Sequence, residues 1–313
     1  MKLSLRAFAI FSITLVASLS TSAASWSSPA RSATIPSLYV ADAAHSAVSR
    51  FQLDRDIPVQ PAAGTLLVDH TPWHIAVGPP GLLFVAYASP PQVDVFDSSA
   101  TGHAKPLRSV VFSAPPSGIA VDRAGYLYVS GLRPGAIEIF GPLAHGRAQP
   151  VAHVVAGVRS PTTMVAVDPE GRLFFANSVS GTPAILEFAD PLTTPVAIRA
   201  VFFTFGARLV VAAIDVTHEL YIIQNTSATV DAYSPSSCCE GYLPDRTIRP
   251  IGGVFAPLAI VIRHRHAFVS SGFPSKPGTA AVYTFDVFHG TQTPLSVISG
   301  PSIAAPVAVA VDP

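Results

Sequence analysis

The chain has 313 residues with 19 basic and 19 acidic side chains, and charged residues make up 12% of it, half of the usual quarter or so. That balance leaves no electrostatic case for binding nucleic acid or an anionic membrane surface. The 30 prolines and 21 glycines are spread along the chain, as many short strands joined by turns require, and do not form a low-complexity tract.

In chain order, residues 1–24 read as a signal peptide. Lys2 and Arg6 form a positive start, Ala7 to Leu19 is apolar, and Thr21, Ser22, Ala23 and Ala24 supply small residues for cleavage. The apolar run falls short of the ~20 residues that span a bilayer, no cysteine sits at the cleavage site, and no later stretch is long and apolar enough to cross. An exported protein, secreted or periplasmic and free of the membrane after cleavage, is the expectation. Residues 25–36 read as a flexible mature N-terminus, and 37–313 as one domain.

A phrase then recurs: an apolar strand ending near Asp, a Gly turn, and a second apolar strand. It runs through Pro72–Gly78 with Gly81–Val85, Pro116–Asp122 with Gly125–Val129, and Met164–Asp168 with Gly171–Phe175. Weaker copies are Ala212–Asp215 with Leu220–Ile222, and Ala259–Arg263 with Ala267–Val269. The registers Gly78, Asp122, Asp168, Asp215, Arg263 and Asp312 are spaced by 44, 46, 47, 48 and 49 residues, the length of a four-stranded propeller blade. Third strands follow, among them Val93–Phe96, Ala136–Phe140, Ala184–Phe188, Val230–Tyr233 and Ala281–Phe285. Loops of Gly-x-x-x-Pro form come next at Gly102–Pro106, Gly146–Pro150 and Gly290–Pro294, leading to a short fourth strand such as Val151–Val155.

The ends of the chain complete each other. Pro306–Pro313 is a first strand lacking its second, and Ser37–Asp42 is a second lacking its first. Five whole blades and one composite blade predict an all-β, six-bladed β-propeller of antiparallel four-stranded blades, with its last blade closed by the N- and C-terminal strands. The motifs Pro-Ser-Gly-Ile-Ala-Val-Asp, Gly-Tyr-Leu-Tyr-Val and Ile-Glu-Ile-Phe at 116–140 resemble an NHL repeat, and so the related streptogramin-lyase-like and gluconolactonase-like propellers. The resemblance implies a six-bladed ring around a central channel. It leaves the activity open, because binding modules, lyases and lactonases share this fold.

Ligand residues are expected where the connections from second to third strand and from fourth to first strand meet the channel mouth. Asp42, Tyr87, Gly131, Asn177, Gln224 and Ser271 follow the second strands; Trp73, His74, Ser117, Thr163 and Met164 enter the first strands. Of these, Asp42, Trp73, His74, Tyr87, Asn177 and Gln224 are the candidate ligand-binding residues. Asp42, Asn177 and Gln224 are oxygen donors of the kind calcium takes, yet a single acidic ring position assigns no metal, and no cofactor is implied. Trp73 has two readings, a stacking surface for a sugar or aromatic group and a packing residue between blades. His74 is the weak catalytic candidate, as a general acid or base, or else bonds to backbone. The regular Asp122, Asp168, Asp215 and Asp312 are read as turn residues that bond the backbone ahead of them. His264-Arg265-His266 is read as a solvated turn. Cys238 and Cys239 are adjacent and have no other cysteine to pair with; they are either loop thiols or a vicinal disulfide. The sequon Asn225-Thr226-Ser227 matters only in a glycosylating host.

Two functions follow. One is a monomeric scaffold that recognises a protein, peptide or glycan, with no role for nucleic acid. The other is a propeller hydrolase or lyase, lactonase-like or streptogramin-lyase-like, with its site at the channel mouth.

Overall fold

The computed structural model describes residues 35–313 apart from 80, 156–164, 169, 180–181, 203–208, 215–216, 225–228, 235–243, 251–256, 273–279, 289–290, 302 and 313. The signal segment, the cysteine pair, Asp215, the sequon, Thr163 and Met164 lie outside the described residues.

Six four-stranded antiparallel sheets form the blades of a propeller. Blade 1 is composite: Pro306–Val311 is its first strand, Ser37–Asp42 its second, Ala47–Asp54 its third and Gly64–Leu67 its fourth. Blade 2 comprises Pro72–Gly78, Leu82–Tyr87, Gln92–Asp97 and Arg108–Val111; blade 3 comprises Gly118–Val121, Leu127–Ser130, Ala136–Phe140 and Ala152–Val155. Blade 4 comprises Val165–Val167, Leu173–Val179, Thr182–Asp190 and Thr194–Phe202; blade 5 comprises Leu209–Ile214, Leu220–Gln224, Val230–Tyr233 and Arg246–Pro250. Blade 6 comprises Pro257–Arg263, His266–Ser271, Ala281–Asp286 and Ser296–Ser299. The first strands touch one another in that order and the sixth touches the first again, so the ring is closed around a channel.

The sequence pattern has a direct cause. Second and third strands have blade neighbours on both faces, and Ser37–Asp42, Leu127–Ser130 and Ala136–Phe140 are buried at every position. Fourth strands lie at the rim, and Ala152–Val155 and Ser296–Ser299 alternate between covered and exposed residues. Six apolar clusters fill the six seams between adjacent blades, Tyr39, Val85 and Phe96 marking the first and Phe175 and Phe188 the third.

The Gly-x-x-x-Pro loops protect strand edges. Gly102 and Gly146, both at positive φ (61° and 58°), pair in parallel with Leu66 and Val110 of the preceding blade. Each pairing has two backbone hydrogen bonds, such as Val111 N–H to Gly146 O at 2.7 Å and Gly146 N–H to Ser109 O at 2.7 Å. Thr291–Gln292 pairs with Arg249 and Pro250 in the same way. Such bonds use up donors and acceptors that an outer strand would otherwise present to other chains. Blade 4 departs from the pattern. It has no such loop, and its third and fourth strands run on into a tight turn where Asp190 accepts the Thr193 amide at 3.1 Å.

The last seam holds the ring shut. Leu38 to Ala41 pair with Val311 to Ala308, and the Asp312 carboxylate accepts the Ser37 amide at 2.8 Å. On the face away from the mouth, Asp56 of blade 1 binds Arg263 Nε at 2.9 Å and His264 Nδ1 at 2.7 Å of blade 6. Arg265 pairs with Asp286. The 264–266 turn is solvated as expected, with His264 and Arg265 exposed, and it also joins the seam through carboxylates that the sequence places 208 and 21 residues away.

Candidate functional site

The mouth is the end where second strands pass to third strands and fourth strands lead to first strands. Irregular first-strand pairing shapes it. Opposite Tyr87 and Ala86, the register jumps from Pro72 to His74, leaving Trp73 as a bulge residue. The same jump leaves Leu258 between Pro257 and Ala259, and Val307 between Pro306 and Ala308. A bulge turns an extra side chain out of the ladder. Trp73 is 49% exposed, a large apolar surface open to solvent at this end of blade 2, with its ring edge-on to His74 at 6.0 Å between centroids.

His74 is half-buried. Burial pulls its pKa down to about 4, against the opposing effect of a hydrogen bond to the backbone of Ser117. The imidazole is neutral at physiological pH, and among the described residues no carboxylate pairs with it. That geometry suits the backbone-bonding reading of His74.

Asp42 and Tyr87 are placed inward. Asp42 is 1% exposed. Its Oδ1 accepts the amides of Ala44 (2.9 Å) and Ala305 (3.1 Å), and its Oδ2 accepts the Ala304 amide (2.7 Å) and His45 Nδ1 (2.9 Å). Burial pushes its pKa up, but these four bonds outweigh burial and hold it below the ordinary range. A carboxylate so committed joins the chain ends and offers nothing to a cation in the channel. Tyr87 is fully buried in the seam of blades 1 and 2. Gln224 ends its second strand opposite Leu209, while Asn177 lies two residues inside the end of its second strand, opposite Ala184, and their side chains lie outside the description.

One grouping was missed by sequence reasoning. His70 stands edge-on to the Tyr87 ring at 5.4 Å. Asp94, 7% exposed, takes the Gln92 amide at 3.1 Å. Burial raises the Asp94 pKa and neighbouring Asp69 adds to the rise, opposed by hydrogen bonds from Ser109 and Gln92 and by His70. Burial and the Asp94 carboxylate also raise the Tyr87 phenol. These groups come from a loop and two strands, so no local motif announces them.

Of the repeated Asp residues, Asp122 and Asp168 serve turns, whereas Asp312 accepts the Ser37 amide from the other end of the chain. Asp122 Oδ1 accepts the Tyr126 amide at 2.9 Å, and Asp168 Oδ1 accepts the amides of Glu170 (3.0 Å) and Arg172 (2.8 Å). Asp168, Glu170 and His218 bring possible metal-ligand atoms within 4.8 Å of one another. His218 sits at φ 64° in the turn of blade 5 and reaches Asp168 Oδ2 at 2.9 Å. With Oδ1 on the backbone and Oδ2 on His218, the group pairs blades 4 and 5 across their seam.

No family model and no curated protein matches the chain in sequence. Solved structures do resemble it. A chain from the crystal structure of a nidogen/laminin complex aligns with TM-score 0.66 and 12% identity over 88% of this chain and 98% of its own. A protein of unknown function from Bacteroides caccae aligns with TM-score 0.62 and 10% identity over 89% and 99%. The WD40 β-propeller domain of Doa1 aligns with TM-score 0.54 and 12% identity over 87% and 81%. Identities this low carry the fold alone. At that level the resemblance to NHL-like propellers holds: the chain folds as a six-bladed propeller.

Proposed function

We propose that this protein is an exported recognition scaffold that binds a protein, peptide or glycan at the channel mouth, with Trp73 as the central contact. The observation that carries the reading is the bulge that holds a half-exposed tryptophan at the mouth. Indole surface left in water gains most when a partner covers it, and its N–H adds a directional bond. The scaffold reading agrees with a propeller fold in which the repeated carboxylates serve turns and seams. In the hydrolase or lyase alternative His74 would act as a general base, and among the described residues no carboxylate pairs with it to orient the ring.

The chain has two tryptophans, Trp26 and Trp73, so a Trp26→Phe protein reports on Trp73 alone. Soluble glycans and peptides screened against it should include a ligand that shifts Trp73 emission to the blue, and Trp73→Ala should abolish binding of that ligand. A ligand that binds Trp73→Ala unchanged, and leaves the emission unmoved, would remove the mouth from the account.

A further inference from the structure

A groove of about 220 Å³ runs along the flank of the ring between blades 2 and 3, and Phe112, Ser113, Leu132 and Arg133 at its one end belong to the connections of the mouth. Its apolar floor is Phe112, just beyond the last strand of blade 2, and Phe140 of the third strand of blade 3, with ring centroids 5.3 Å apart and planes at 55°. Both rings are buried. The polar wall is Arg133, Glu138, Arg147 and Gln149. The Glu138 carboxylate is buried and held by Arg133 Nε at 2.8 Å. Those two charges cancel. Arg147 projects from the Gly146 loop, and among the described residues no carboxylate lies within 4 Å of its guanidinium. The groove is left with one net positive charge above an aromatic floor.

We infer that this groove binds an organic carboxylate with an apolar body, the carboxylate on the Arg147 guanidinium and the body against Phe112 and Phe140. Three features fit this class. A guanidinium presents paired N–H donors that match the two oxygens of a carboxylate. The edges of Phe112 and Phe140, 8% and 2% exposed, give hydrocarbon a narrow apolar contact. The volume accepts one amino-acid side chain or a compact acid and is too small for a larger cofactor. The Gly146 loop that carries Arg147 is fixed by its two backbone bonds to blade 2, so the base of the Arg147 side chain is held beside the groove. The carboxylate has two natural sources, a chain terminus and an acidic side chain of a partner, and the site chemistry is the same for both.

The test uses the full mature protein and three probes followed by NMR titration: N-acetyl-phenylalanine, its C-terminal amide, and N-acetyl-aspartate amide. The first should bind in the millimolar range or tighter, and the amide at least ten-fold more weakly. Preference for N-acetyl-aspartate amide over N-acetyl-phenylalanine would assign the site to acidic side chains, and the reverse to termini. Arg147→Gln should cost at least ten-fold for either acid without moving the melting temperature, because Arg147 is exposed and supports no described carboxylate. Glu138→Gln should tighten binding, since it releases Arg133 as a second cation. If Glu138→Gln does not fold, the Arg147 comparison still decides. Equal binding of acid and amide, unchanged binding in Arg147→Gln, or no binding of either acid would each overturn the inference.

Discussion

The Asp42 carboxylate accepts the Ala304 amide at 2.7 Å across 262 residues of sequence. With the Ala44, Ala305 and His45 bonds, one buried side chain ties the second strand of blade 1 to the loop that delivers its first strand. Asp42→Ala leaves three backbone amides without their acceptor, and one of them, Ala305, is buried. It should lower the unfolding free energy by about 2–4 kcal/mol, measured by urea denaturation, with Asp42→Asn intermediate.

The same carboxylate predicts an acid limit. The folded pKa of Asp42 is depressed, as is that of Asp56, where burial is outweighed by His264 and Arg263. A group with a depressed folded pKa stabilises fully above its unfolded value, here the ordinary 3.8, and loses that contribution as pH falls through the folded value. Unfolding followed by circular dichroism should therefore steepen below about pH 4, and Asp56→Asn should flatten that limb.

His74 acts in a different window. Its ordinary pKa of 6.5 falls to about 4 in the folded protein, so unfolding takes up a proton between those values. The stability it supports is complete above pH 6.5 and declines as pH drops toward 4, by at most about 1.4 kcal/mol per pH unit. His74→Gln should remove that slope. Melting temperatures of the two proteins at pH 7 and pH 5 make the comparison.

Gly131 ends the second strand of blade 3 at φ 90°, and a Cβ there would lie 2.3 Å from Ser117 Oγ and 2.7 Å from Ser117 N. Both the backbone angle and the space demand glycine. Gly131→Ala should destabilise by roughly 2 kcal/mol or more and disturb the Ser117 backbone that His74 bonds. Gly131→Ala,Ser117→Gly should recover only the side-chain part of the clash, because the contact with the residue-117 backbone nitrogen and the strain at φ remain.

The repeat was legible because blades 3 and 4 write the same local rules, an Asp that bonds its turn and a glycine where the chain turns left-handed, and the other blades repeat their apolar strands at the same spacing. The Asp122 and Asp168 turns follow from four or five consecutive residues. What the sequence hides depends on distant partners. Asp42 looks like an acid at a rim until the Ala304 and Ala305 amides meet it. The 264–266 turn shows no partner in the sequence until Asp56 arrives from blade 1. The Trp73 bulge shifts register by one residue, too small a change for a repeat read at blade length. Blade 4 carries no Gly-x-x-x-Pro signal, and its extended hairpin had no local sign.

Closure of the ring by the two chain ends is the claim on which the rest stands, and a protein lacking residues 306–313 tests it most directly. Removing that strand strips the partner of Leu38–Ala41, the Asp312 bond to Ser37, and the covering of two seams. Thermal unfolding followed by circular dichroism should show a melting temperature lower by roughly 10 °C or more, or no cooperative transition. A truncated protein that melts cooperatively at the temperature of the intact chain would contradict the closed six-bladed ring.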